Sequence, residues 1–120
     1  MYKVEITAAA GSLFSVREGD YGFSVDTKGE GVSPPSALLA GLGSCIGVYT
    51  RKYCEAAGIA LSDFRISVEA ELSKEPPVCF RVIRVQLDLK SAKLDERRQR
   101  AILDFIMNCP VHNTLKANPL

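Results

Sequence analysis

The chain carries almost no excess charge of either sign: fifteen Lys and Arg stand against fourteen Asp and Glu, leaving a formal +1. That is too little for the basic stripe that a phosphate backbone requires, so nucleic acid is not expected as a partner. An opening apolar run is lacking as well. Met1-Tyr2-Lys3-Val4-Glu5 alternates in polarity and begins no signal core, which makes the cytoplasm the expected location. The longest weakly polar stretch, Ala37 to Thr50, is rich in glycine and falls short of the about 20 apolar residues a bilayer crossing needs. No membrane is expected among the partners.

Histidine is nearly absent, His112 being the single one. No phosphate-cradling glycine loop, serine nucleophile elbow or clustered carboxylate pair occurs. Cys45, Cys54, Cys79 and Cys109 have neither the close paired spacing of a zinc ribbon nor the density of a secreted disulfide scaffold. In a reducing compartment such cysteines are either small core residues or chemically used. His112, three residues after Cys109, could be half of a metal site, but no second half is visible, so no metal is expected.

What is present is an ordinary globular balance, 47% hydrophobic and 24% charged over 120 residues. That length predicts a single domain over residues 1–120 with one core. From Tyr2 to Asp26 the residues alternate or are β-branched and aromatic. Breaks at Gly11 and at Glu18-Gly19-Asp20 predict two or three short antiparallel strands. Thr27 to Gly31 reads as a flexible loop with a hinge at Gly29-Glu30-Gly31. Ser33-Pro34-Pro35 then announces a helix that runs to about Ala57 and is stopped by Gly58. From Ala37 its first fourteen positions are uncharged and apolar on nearly every face, as in a helix buried all round. One chain of this size can hardly cover it. A homodimer is therefore expected, with Gly41, Gly43 and Gly47 allowing close approach of the second subunit.

Phe64 to Leu72 and Cys79 to Leu89 alternate as two strands with one wet face, joined by a turn at Ser73 to Pro77, with a change of phase near Ile83-Arg84 that predicts a bulge. Leu94, Ala101, Ile102, Phe105, Ile106 and Cys109 recur at helical spacing and predict an amphipathic helix on the sheet. Pro110 then opens a last short helix, Val111 to Lys116.

Cys45 lies between Gly43-Ser44 and Ile46-Gly47, so no large neighbour in sequence blocks its sulfur. Burial alone would leave it protonated and inert. On spacing alone, a small core residue is the better account. Cys109 ends one helix and begins another, where unpaired N–H groups favour a thiolate; the alternative, a last apolar residue of the preceding helix, weighs about equally. Cys54 and Cys79 read as structural.

Two segments carry a resemblance: Ser33-Pro34-Pro35-Ser36-Ala37-Leu38-Leu39-Ala40-Gly41-Leu42-Gly43-Ser44-Cys45, and Asn108-Cys109-Pro110-Val111-His112. Together they resemble the two cysteine motifs of the OsmC/Ohr family of osmotically inducible and organic hydroperoxide resistance proteins, in matching order over about the whole chain. The resemblance implies an α+β, OsmC-like fold, with antiparallel sheets around a long buried cysteine-bearing helix, and an intertwined homodimer. It further implies an antioxidant thiol peroxidase of the oxidative stress response. Cys45 would attack an organic hydroperoxide and become a sulfenic acid, Cys109 would resolve it as a disulfide, and a dithiol reductant, in the family sometimes a lipoyl protein, would restore the pair. No cofactor is implied.

The sequence departs from the family at Pro35, which occupies the position of a glutamate that orients an arginine against the thiolate. Arg17 is the nearest candidate for that arginine, and Glu18, Asp26 or Glu30 for the missing acid. The chain also ends at Asn118-Pro119-Leu120, where relatives continue into a further strand. These departures place it nearer the OsmC-like branch and keep open a second reading, a redox-sensing or binding dimer without turnover. A metal protein joining Cys45, Cys109 and His112 ranks last.

Overall fold

A computed structural model describes residues 1–90 and 92–120 as an α+β chain. It forms two compact units, Met1–Leu39 and Ala40–Leu120, with one helix running across the boundary.

The N-terminal unit is a three-stranded antiparallel meander of β1 (Glu5–Ala8), β2 (Leu13–Glu18) and β3 (Tyr21–Asp26). A two-residue turn, Gly19-Asp20, joins β2 to β3, and Gly19 takes the positive φ of 59° that the first position of such a turn calls for. Register places Ile6, Val16 and Phe23 side by side, and Ala8, Phe14 and Val25 beside them on the same face. That face is apolar, yet Ile6, Phe14 and Phe23 are all exposed.

The loop after β3 is tied down rather than slack. The buried Asp26 carboxylate accepts hydrogen bonds from Ser12 Oγ, the Lys28 amide (2.9 Å) and the Glu30 amide (3.2 Å). Those bonds, led by Ser12, hold its pKa below the usual carboxylate value. Gly31 is needed where the chain folds back, because a Cβ there would lie 2.6 Å from the Ser24 carbonyl oxygen. The hinge expected at Gly29-Glu30-Gly31 is thus a pinned corner.

Helix α1 spans Pro34–Ala56, as the sequence predicts. Ser33 Oγ accepts from the Ser36 amide at 3.2 Å, capping the first turn. At the other end Gly58 has φ 68°, with its amide bonded to Glu55 O and the Ile59 amide to Cys54 O, the paired bonds of a Schellman stop.

In the C-terminal unit, β4 (Arg65–Leu72) and β5 (Phe80–Asp88) form an antiparallel pair. The bulge lies two residues earlier than the sequence indicates: Ala70 faces Ile83 but Leu72 faces Phe80, so β5 carries the extra residue between them. Helices α2 (Glu96–Ile106) and α3 (Pro110–Ala117) follow. Asp95 caps α2 by accepting from the Arg98 amide at 2.8 Å, a contact generally worth about 1 kcal/mol. The core of this unit gathers Leu42, Ile46 and Cys54 from α1 with Ile102, Ile106 and Cys109, and Ile66, Val68, Ile83 and Leu87 pack against it.

The α1 glycines have a use other than the one expected. A Cβ on Gly43 would lie 2.9 Å from Val68 Cγ2, and one on Gly47 3.1 Å from Ile66 Cδ1. They admit β4 of the same chain, not a second subunit. Gly41 meets nothing within 4 Å, and Leu38, Ser44 and Val48 are exposed with it. The helix is therefore covered on one side and open on the other.

Candidate active site

Cys45 sits in the middle of α1 and is partly exposed. Its side chain neighbours that of Cys109, which is fully buried. Both thiols are free. The chain brings these two far-separated residues together through a helix-to-helix clamp. Tyr49 and Tyr53, one and two turns after Cys45, hold Phe105, one turn before Cys109, between tilted rings at centroid distances of 6.0 and 5.8 Å. Such aromatic pairs contribute roughly 0.5–1.5 kcal/mol each beyond burial. Sequence reading missed this clamp. Its signal was the four-residue spacing of Cys45, Tyr49 and Tyr53 and of Phe105 and Cys109, which puts each set on one helical face.

Cys109 is the N-cap of α3. Its Sγ accepts from the His112 amide at 3.5 Å, and Pro110 occupies the first turn. The helix start is where the sequence places it, but its effect on the proton is outweighed. Burial pushes the Cys109 thiol up from its usual pKa, and its side-chain hydrogen bond to Cys45 adds to this; the His112 and Val111 amides pull the other way and lose. Cys109 is held as a thiol in the reduced pair.

The other two cysteines stand apart from this arrangement. Burial pushes the Cys54 thiol up, with no opposing partner. Cys79 is exposed just before β5, where its amide bonds to Ser73 Oγ at 3.2 Å. Among the described residues, no three His, Cys, Asp or Glu side chains gather closely enough to hold a metal. His112 Nδ1 lies 3.4 Å from Asn113 Oδ1.

Arg17 belongs to the N-terminal unit, on β2 opposite Glu5 and Gly22. Its side chain lies across Gly22, where a Cβ would come within 2.8 Å of Arg17 Cδ. Of the candidate acids, Asp26 has its carboxylate engaged by Ser12 and its own loop. Pro35 is in the first turn of α1 and offers no carboxylate.

Between β5 and α2 runs a cleft of about 660 Å³ whose wall includes neither Cys45 nor Cys109. Ile46, the residue after Cys45, and Ile106 and His112, which flank Cys109, contribute to its wall with Leu87 and Leu103. No helix of the described residues is long and apolar enough to cross a membrane.

Comparison with known proteins agrees with this architecture. An OsmC-like protein from Mycoplasma pneumoniae superposes with a TM-score of 0.83 at 21% identity, over 97% of this chain and 87% of that one. A hypothetical protein from Aquifex aeolicus gives 0.83 at 19% identity, over 98% and 88%. The organic hydroperoxide resistance protein OhrB of Bacillus subtilis gives 0.66 at 20% identity, over 98% and 93%. No curated protein matches the sequence. The family model for OsmC-like proteins matches residues 27–120, a segment that holds both cysteines of the pair, and the chain belongs to the OsmC-like protein family.

Proposed function

We propose that the protein is a thiol-dependent peroxidase that reduces organic hydroperoxides, working as a homodimer with Cys45 as the attacking residue and Cys109 as the resolving one. The observation that carries this reading is the meeting of a partly exposed Cys45 with a buried Cys109 held as a thiol. The Cys45 sulfur, deprotonated, attacks the distal oxygen of the hydroperoxide; the O–O bond breaks, the alkoxide takes up a proton and leaves as the alcohol, and Cys45 becomes a sulfenic acid. Cys109 then attacks that sulfur, water departs, and the pair is joined as a disulfide. A dithiol reductant supplies the two electrons that restore it. The partial exposure of Cys45 and the burial of Cys109 support this order of the two steps. The organic character of the substrate is supported by similar proteins of Bacillus subtilis and Legionella pneumophila, both organic hydroperoxide resistance proteins.

A redox sensor that oxidises once and cycles slowly is the second reading, favoured by Pro35 in the place of an activating acid. The two separate on turnover. Consumption of cumene hydroperoxide and of hydrogen peroxide is followed with excess dithiothreitol, on wild type and on Cys45→Ser. The peroxidase consumes the organic peroxide over many cycles and Cys45→Ser does not; oxidation that stops after one equivalent of peroxide would establish the sensor instead.

A further inference from the structure

The disulfide that forms between Cys45 and Cys109 has two unlike ends. Cys109 is fully buried, sealed among Leu42, Ile46, Ile102 and Ile106 in the core. Cys45 only packs against that core and keeps part of its surface open. Thiol–disulfide exchange requires the incoming thiolate, the attacked sulfur and the leaving sulfur to lie nearly in line, so access decides which sulfur is attacked. We infer that the reductant opens the disulfide only at Cys45, through a mixed disulfide on that residue, and that Cys109 is the leaving thiolate.

This inference rests on the Cys45–Cys109 pairing proposed above and extends it to the reductive half of the cycle. One sulfur of a dithiol, as thiolate, bonds to Cys45 Sγ, and the Cys45–Cys109 bond breaks with its electron pair going to Cys109 Sγ. That sulfur is met by the His112 amide, 3.5 Å away, at the start of α3, which receives the charge until a proton arrives. The second thiol of the dithiol then attacks its own mixed sulfur, closes its ring, and releases Cys45. The dithiol is oxidised by two electrons and the protein disulfide is reduced by two.

Two consequences follow. A monothiol stalls at the Cys45 adduct or is expelled by Cys109 re-forming the disulfide, so dithiols are the effective reductants. The same burial also shields Cys109 from any second oxidant, so over-oxidation falls on Cys45.

The test needs no peroxide. Wild-type protein is oxidised with diamide, the intramolecular disulfide is verified by mass, and 2-mercaptoethanol is added in excess, followed by acid quench, pepsin digestion and peptide mass spectrometry. The adduct is expected on the Cys45 peptide at least about tenfold over the Cys109 peptide, as access to the attacked sulfur dictates. Equal adducts, or a majority on Cys109, would overturn the inference, as would failure of diamide to join the pair. Single variants give a second readout. Cys109→Ser should react with Ellman's reagent at Cys45 at least about tenfold faster than Cys45→Ser does at Cys109, each measured with Cys54 and Cys79 replaced by alanine; equal rates would count against it. A protein that exchanges at Cys45 as described but is not oxidised by hydroperoxides loses the peroxidase reading and keeps this one.

Discussion

At the residue scale, four cysteines in one chain meet four different fates, and burial with its partners decides among them. Cys54 is buried, Cys79 is exposed, and Cys45 and Cys109 have each other. Replacing Cys79 by serine should leave both stability and peroxide turnover unchanged. Cys54→Ser should lower stability by about 1–3 kcal/mol in urea unfolding, because a hydroxyl enters an apolar site without a partner, while turnover of the folded protein stays within a factor of about two, since no reacting atom is touched. Loss of turnover in either variant at full folding would mean the wrong pair has been chosen. Asp26 is legible only in the structure. From sequence it was one of three acids that could serve the cysteine; in the fold its hydrogen bonds to Ser12, Lys28 and Glu30 make it the anchor of its loop. Its pKa is lowered on folding, so its stabilisation is complete above the unfolded carboxylate value near 3.8 and is lost as pH falls through the folded value below that. Thermal melts from about pH 7 down to about pH 3 should show wild type and Asp26→Asn converging at the acid end. Parallel curves would show that the carboxylate does not hold the loop.

At the scale of elements, most of the fold was written in local chemistry. The Ser33 cap, the Gly58 stop and the Gly19-Asp20 turn each act within a few residues, and each was found where the pattern placed it. What needed three dimensions was the meaning of the spacing inside α1. The glycines read as a surface for a second subunit, yet Gly43 and Gly47 are one turn apart on the side that receives Val68 and Ile66 of β4. Sequence gives their common face and not what stands opposite it. Gly43→Ala should test this assignment: alanine gains up to about 1 kcal/mol of helix propensity but drives a methyl into Val68, an overpacking that costs about 1–3 kcal/mol. A net loss of stability is expected by urea titration, and a net gain would show β4 to be further away. The aromatic clamp makes a separate demand. Phe105→Leu keeps most of the apolar volume but removes both tilted ring contacts, so the disulfide should form several-fold more slowly after oxidation, because the helices that present the two sulfurs are less firmly aligned.

At the scale of the whole molecule, the contrast between composition and burial is the argument for the proposed dimer. Nearly half of the residues are hydrophobic, 47%, but among the described residues only seven hydrophobic side chains are buried. Some of the exposed ones share a face. Ile6, Phe14 and Phe23 share one face of the N-terminal sheet with Val16 and Ala8, and Leu38 and Val48 stand exposed on α1. A sheet with one apolar face must bury it against another layer, and contiguous apolar patches on a monomer are normally small. A second copy of the chain brings the same unsatisfied surfaces, so a two-fold arrangement can cover each with the other and close without leaving a free edge to propagate. The expected mass in sedimentation is therefore that of two chains. Phe23→Asp, which sets a charge on the sheet's apolar face, should shift the protein to single chains and lower its midpoint of unfolding, and because the pair Cys45–Cys109 lies wholly in the C-terminal unit, diamide should still join the two sulfurs in the fraction that remains folded. A wild-type protein that sediments as one chain at micromolar concentration would leave that apolar face exposed to water and would remove the dimer from the proposal.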